Sequence, residues 1–311
     1  MRISKRHVAI FGAIFLSLGG YINSVQADST DLPGLNDARI PNNLKPSLAN
    51  VKTDRPKPYT DRCHVQQNLI ASQSPCVYGD TTSSTTIVLF GDSHALSWFP
   101  AIERLANAKH WKLFSFTMSS CWPADIPAFN PKTKLLMENC GIWRKNTINQ
   151  IISLKPSWIF VSGTKGFATI NLQGLMVDEP ERTNIWKAGM KSTLQKLHEA
   201  SSNVIFIGDT PISIFDVPTC LSMNLKNYAN CATPFWNAVD TDWTLVEQSV
   251  ARDAGVIYVD PTFWVCKTDP CSPLDANRQI YIDSSHLSAT FAVTLERPLW
   301  AAVSNQSRSN G

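Results

Sequence analysis

Two stretches, far apart in the chain, hold the residue types that nucleophilic catalysis needs. "LFGDSHALSWF" places Ser93 two residues after Gly91, with Asp92 before it and His94 after it. "YIDSSHLSATFA" offers Asp283 and His286 at spacing i, i+3, followed by Leu287 and Ser288. A turn with that spacing sets a carboxylate against one ring nitrogen of the histidine and leaves the other free to take a hydroxyl proton. Taken alone, Gly-Asp-Ser reads first as a helix cap, because Asp and Ser both favour that position. The second stretch supplies the missing base, and the pair together reads as a triad of Ser93, His286 and Asp283.

The remaining histidines offer less. His7 lies in the apolar N-terminal segment, His64 in a cysteine-bounded arm, and His110 and His198 in helix-to-strand connections. His94 adjoins Ser93, but neighbours in sequence usually turn their side chains apart. The histidines are scattered and unpaired, so neither a metal nor a cofactor is expected.

Positioning such a triad requires a sheet. "TTIVLF", "WKLFSFT", "SWIFVS", "NVIFIG" and "GVIYVD" begin at Thr85, Trp111, Ser157, Asn203 and Gly255. Unbroken β-rich runs of this kind suit strands buried on both faces of a parallel sheet. Helical patterns fill most of the gaps, among them "ALSWFPAIERLANA", where Pro100 should kink or delay the helix, "NIWKAGMKSTLQKLHEA" and "TDWTLVEQSVARDA". Alternation of this kind predicts an α/β fold, a three-layer α/β/α sandwich with a mostly parallel sheet of about five strands. Ligands in such sheets sit beyond the carboxyl ends of the strands, which is where Ser93 falls. Asp209 also ends a strand, and its expected role is to cap the turn at Pro211. "SGTKG", from Ser162, lacks P-loop spacing and reads as an active-site loop after a strand.

Bulk properties bound the function. The 311 residues are 43% hydrophobic and 17% charged, a globular composition. A net charge of +3 without a dense Lys/Arg stripe argues against a nucleic-acid partner. Ten tryptophans serve either as core or as platforms for sugar rings; Trp98, Trp122 and Trp143 lie nearest the catalytic stretches, with core the default for Trp143. The N-terminus has a basic start at Arg2, Lys5 and Arg6, an apolar run from Val8 to about Ile22, and a Val25-Gln26-Ala27 site. That is a secretory signal pattern, and its apolar run is short beside the roughly 20 residues of a bilayer span. Export to the periplasm or the outside is expected, with an uncleaved anchor as the alternative. Eight cysteines in an exported chain suggest disulfides, and short gaps favour sequential pairing: Cys63–Cys76, Cys121–Cys140, Cys220–Cys231 and Cys266–Cys271.

The two stretches resemble the first and last motif blocks of the SGNH, or GDSL-type, hydrolases. More narrowly, they resemble the SGNH domain attached to multi-pass membrane acyltransferases that O-acylate bacterial surface polysaccharides. "PYTDRCHVQQN", "SPCVYGD", "FTMSSCWPADIP" and "CKTDPCSP" extend the likeness over roughly Pro58 to Val303. The resemblance implies Ser93 as nucleophile, His286 as base and Asp283 as its orienter. Two departures touch the oxyanion hole. The general family uses Gly in its second block and the Asn of a Gly-x-Asn third block; here the second is "TMSSCWP", and Lys165 stands where Asn would be in "VSGTKGFA". The expected donors are the Ser93 amide, one near Ser119 or Ser120 and one near Gly163 or Thr164.

These readings divide the chain into a signal peptide (1–27), an extended linker or arm (28–60), an SGNH hydrolase-like catalytic domain (61–303) and a tail (304–311). The expected function is an exported serine esterase or O-acyltransferase, of O-acetyl groups, acting on cell-envelope carbohydrate through an acyl-enzyme. Relatives carry membrane helices ahead of the domain and this sequence has a signal there, so a separate membrane acyltransferase is the expected partner. The protein itself is expected to be monomeric. The alternative is a catalytically weak or inactive SGNH domain that binds carbohydrate beside such a membrane enzyme.

Overall fold

The computed structural model describes residues 38–67, 76–130, 133, 135–165, 168–171 and 174–309. The signal segment and the start of the arm lie outside the described residues.

Eleven strands occur among them. Seven form the central sheet: β1 (His64–Val65), β2 (Cys76–Gly79), β3 (Thr86–Gly91), β4 (Lys112–Met118), β7 (Trp158–Ser162), β8 (Val204–Ile207) and β9 (Ile257–Val259). Two small hairpins supply β5 (Phe129–Asn130) with β6 (Leu135–Leu136), and β10 (Leu274–Asp275) with β11 (Arg278–Gln279). The five runs read from the sequence are β3, β4, β7, β8 and β9, parallel and ordered β4-β3-β7-β8-β9. The sheet gains two further short strands on its β4 edge: β1 runs parallel to the end of β4, and β2 antiparallel to its beginning. The direction of winding reverses at β3, so the carboxyl end of β3 is the switch point where a ligand cleft opens.

Alternating side chains of β3 serve opposite faces of the sheet. Ile87 and Leu89 pack into one core with the helices α1 (Ser93–Ser97), α2 (Phe99–Lys109), α9 (Ala289–Ala292) and α10 (Glu296–Ser309). Val88 and Phe90 pack into the other with α3 (Glu138–Leu154), α4 (Glu181–Ala200) and α7 (Thr241–Ala254). The result is a sandwich of three layers. Shorter helices α5 (Val217–Met223), α6 (Phe235–Ala238) and α8 (Thr262–Val265) lie in the connections at the end of the chain's β8 and β9 units. Pro100 sits in the first turn of α2, where its missing N–H costs no hydrogen bond, and Trp98 joins α1 to α2.

From Ala38 onward the Pro-rich arm lies along the domain. Val51 is fully buried, and Ile40, Leu44 and Leu48 pack against the α2 side of the core. Lys45 donates its amide to the Asn277 carbonyl and accepts from the Gln279 amide of β11, and Asp54 accepts from the amides of Ala289 and Thr290 at the start of α9. At the other end α10 runs past residue 303, and Gln306 donates to the Tyr258 carbonyl. Four disulfides join Cys63 to Cys76, Cys121 to Cys140, Cys220 to Cys231 and Cys266 to Cys271. Trp98, Trp122 and Trp143 are all buried, which makes them core residues and removes them as sugar platforms. Among the described residues, no helix is long and apolar enough to cross a membrane.

Candidate active site

The turn that carries Ser93 is built on Gly91. Its φ is +149°, and a Cβ there would lie 1.9 Å from the Ser162 carbonyl oxygen of β7. Only glycine lets β3 end this close to its neighbour. Asp92 follows in extended conformation and caps α1: its Oδ1 accepts from the amides of His94 at 2.8 Å and Ala95 at 3.4 Å. Its Oδ2 accepts from the Thr164 amide at 2.9 Å, tying the loop after β7 to the same turn. Asp92 is fully buried, and that burial raises its pKa against the opposing pull of His94 and these amides. The cap read from the sequence is therefore present, and it belongs to Asp92. It leaves Ser93 at the first position of α1, half-buried at the rim, with an amide that has no partner inside its helix.

The last block meets it there. Asp283 Oδ1 accepts from the amides of Ser285 and His286, each at 2.8 Å, which folds the i, i+3 turn. Its Oδ2 lies 2.8 Å from His286 Nδ1, and His286 Nε2 lies 2.9 Å from Ser93 Oγ. Burial works to raise the Asp283 pKa, but the hydrogen bonds and charge of His286 and the Ser285 amide bring it down to about 2. Tyr281 Oη donates to the Pro211 carbonyl, and Ser288 caps α9, so the turn is anchored on both sides. The three side chains singled out in the sequence thus converge, across 193 positions between Ser93 and His286.

The oxyanion expectations need correcting. The Ser119 amide donates to the Val65 carbonyl at 2.8 Å, because β1 pairs onto the end of β4. The Thr164 amide is held by Asp92. Neither of these two amides is available to an oxyanion in this arrangement, which leaves the Ser93 amide and the neighbouring Ser120 and Gly163 amides as the candidates. The Ser119 hydroxyl lies 2.9 Å from His64 Nε2, and His64 Nδ1 lies 2.9 Å from Thr117 Oγ1. His64 is therefore a sheet residue beside the site. Burial first, and the charge of His286 second, lower its pKa to about 4 and keep it neutral.

Sequence reading also missed what stands behind Ser93. His94 does not turn away from His286. Its ring packs edge-to-face on His286, with centroids 4.9 Å apart, and its Nδ1 lies 2.7 Å from Asp209 Oδ1. Asp209 also accepts from the amides of Lys165 and Thr210, so its role is larger than capping a turn. Burial disfavours the charged forms of both partners. Their mutual attraction wins, raising the His94 pKa to about 9 and lowering that of Asp209. Behind Asp209 lies Glu247, buried and hydrogen-bonded by Trp243 Nε1 and Tyr258 Oη; burial and the Asp209 charge push its pKa up to about 8. Position at a strand end was the one signal that pointed to Asp209. Nothing local marked Glu247, which lies on α7.

Comparison with known proteins is consistent with this geometry. The family model described as "SGNH domain (fused to AT3 domains)" matches residues 62–301. No curated protein matches. Among solved structures, the periplasmic domain of the lipopolysaccharide acetyltransferase of Salmonella ser. Paratyphi A is similar in fold. Its TM-score is 0.56 at 16% identity, over 72% of this chain and 85% of that one. Axe2, an acetylxylan esterase from Geobacillus stearothermophilus, gives a TM-score of 0.39 at 13% identity, over 72% of this chain and 96% of that one.

Proposed function

Because this chain belongs to the SGNH domain family, in the branch found fused to AT3 domains, we propose that it is a serine esterase or O-acyltransferase, acting outside the cytoplasm on O-acylated, most simply O-acetylated, cell-envelope carbohydrate. The observation that carries this reading is the hydrogen-bonded line Ser93 Oγ, His286 Nε2, His286 Nδ1, Asp283 Oδ2 at the sheet's switch point. Four disulfides and the likeness to a periplasmic domain support an extracytoplasmic setting. The AT3 connection supports a membrane-embedded acyltransferase as the source of acyl groups.

This reading implies a double displacement. Ser93 Oγ attacks the ester carbonyl carbon as its proton passes to His286 Nε2, and Asp283 stabilises the imidazolium through Nδ1. The carbonyl oxygen, now negative, is met by the Ser93 amide at the positive end of α1. The tetrahedral species collapses, the C–O bond to the leaving alcohol breaks, and that alcohol takes the proton from His286. An acyl group is left on Ser93. Water or a sugar hydroxyl then attacks the acyl carbon and gives its proton to His286; the bond to Ser93 Oγ breaks, Oγ takes that proton back, and the acid or the new ester leaves.

The test is intact-mass spectrometry after exposure to p-nitrophenyl acetate. The parent protein is expected to gain one acetyl group on Ser93, or to turn the ester over, and Ser93→Ala and His286→Ala to do neither. Equal turnover by all three proteins would sink the reading. The engagement of the Ser119 and Thr164 amides favours a second reading, a weakly catalytic carbohydrate-binding domain beside a membrane acyltransferase. Glycan binding by a parent protein that shows no acylation and no turnover would select it.

A further inference from the structure

The triad's histidine turn is hydrogen-bonded, at one remove, to a surface with no role in the chemistry above. The Ser284 carbonyl, inside the catalytic turn, accepts from the Ser213 amide at 2.7 Å. One residue earlier, the Ile212 amide donates to the Ala238 carbonyl at the end of α6 at 3.0 Å. Ser213 Oγ meets Thr233 Oγ1 at 3.1 Å, and Thr233 exchanges two backbone bonds with Cys271 beside the Cys266–Cys271 disulfide. The four-residue helix α6 is thus fixed to the catalytic loop by hydrogen bonds and braced by a disulfide.

What α6 presents is unusual for a surface. Trp236 is 73% exposed, and Phe263 is 70% exposed and stacks on Phe235 with centroids 6.1 Å apart. Beside them lies an open cleft of about 400 Å³ lined by Lys165, Trp236, Asn237, Asp240 and Thr241 with Phe235 and Val239. A small inner cavity shares Lys165, Val239 and Asp240 with it and reaches Asp209, the partner of His94. The cleft and the inner cavity thus share a wall that joins the α6 surface to Asp209.

The lining decides the ligand class. An acyl chain needs an apolar slot, whereas this one carries an ammonium, an amide, a carboxylate and a hydroxyl. Among the described residues, the side chains of Lys165 and Asn237 form no hydrogen bond, and only one Asp240 carboxylate oxygen is engaged, by the Trp243 amide. A flat indole with scattered donors and acceptors around it matches a pyranose ring, which has an apolar C–H face and a rim of hydroxyls. We propose that this cleft is a sugar subsite: Trp236 stacks on a pyranose ring of the glycan while Lys165, Asn237, Asp240 and Thr241 bond its hydroxyls, so that a neighbouring acyloxy or hydroxyl group reaches Ser93. The inference rests on the esterase or acyltransferase reading for its purpose, though not for its binding measurement.

Two measurements separate the claims. The probes are the methyl 6-O-acetyl glycosides of glucose, galactose and mannose, with p-nitrophenyl acetate as an ester that carries no sugar. Trp236→Ala is expected to lower the ratio of kcat/KM for the best glycoside to that for p-nitrophenyl acetate about tenfold, equivalent to about 1.4 kcal/mol. An unchanged ratio overturns the subsite. Independently, saturation-transfer NMR on Ser93→Ala protein is expected to show the pyranose C–H face in contact, with the signal lost in Ser93→Ala/Trp236→Ala. Absence of binding, or equal binding by both proteins, overturns it too. A parent protein that cleaves neither ester while Ser93→Ala still binds the glycosides through Trp236 would refute the esterase reading and leave the subsite standing.

Discussion

Asp283 carries more than its place in the triad suggests. One carboxylate oxygen folds the turn through two amides, and the other fixes the Nδ1–H tautomer of His286, leaving Nε2 free to face Ser93. An amide at this position keeps the turn but offers its NH2 group or a neutral oxygen to Nδ1, which weakens the imidazolium and favours the wrong tautomer. Asp283→Asn is therefore expected to lower kcat toward p-nitrophenyl acetate by about 10³–10⁴-fold with little loss of melting temperature. A loss under tenfold, measured by steady-state kinetics, would show that Asp283 orients nothing of consequence. Gly91 is decided at the same scale. A Cβ there meets backbone of β7 and Ala95 Cβ at 2.7 Å, contacts that no side-chain rotation relieves.

At the scale of elements, the β4 edge holds the site from one side. β1 and β2 share the edge of β4, and the Cys63–Cys76 disulfide closes the 13-residue separation between them. His64 follows Cys63 directly and bonds both Thr117 and Ser119, the latter at the carboxyl end of β4 next to the Ser93 turn. Removing the cross-link frees the short β1, whose two ladder residues hold it weakly alone. The double variant Cys63→Ala/Cys76→Ala is expected to lose about 2–4 kcal/mol of stability by denaturant unfolding. It should also lose activity at temperatures where it stays folded, because His64 and Ser119 lose their register. Full activity in a destabilised variant would show that the β4 edge is a structural appendage alone. The sequence announced the cysteine pairing through short gaps, but two-residue strands have no period to read, so β1 and the place of His64 stayed hidden.

Across the whole molecule, buried ionisable groups set how stability responds to pH. Glu247 has its folded pKa raised to about 8 by burial and by the Asp209 charge, and His94 has its raised to about 9 by Asp209 despite burial. Both groups bind a proton more tightly folded than unfolded. Their contribution is complete below the unfolded values, near 4.5 for Glu247 and 6.5 for His94, and is lost as pH rises through 8 and 9. His64, its pKa lowered to about 4, gains stability as pH rises toward 6.5 and offsets the Glu247 loss there, so the melting temperature is expected to fall above about pH 6.5. Glu247→Gln keeps the side chain's size and a hydrogen-bonding end but cannot ionise, so it should flatten the lower part of that decline, between about pH 6.5 and 8. Calorimetry across the pH range checks this, and parallel curves for parent and variant would contradict it.

The sequence alone determined the layering, the five parallel strands and the residues of the proposed triad, because each is written in local signals: unbroken β-rich runs, a strand-ending glycine, and a carboxylate and imidazole three residues apart. It also supplied the cysteine pairs. Only the tertiary structure decided what surrounds the triad. Asp209, Glu247, His64 and Trp236 come from the loop after β8, from α7, from β1 and from α6, and their surroundings depend on which strand lies beside which. The engagement of the Ser119 and Thr164 amides has the same origin, since a backbone donor's partner is set by strand pairing and loop contact. Electrostatic fields and hydrogen bonds between distant segments leave no period or spacing in a single chain.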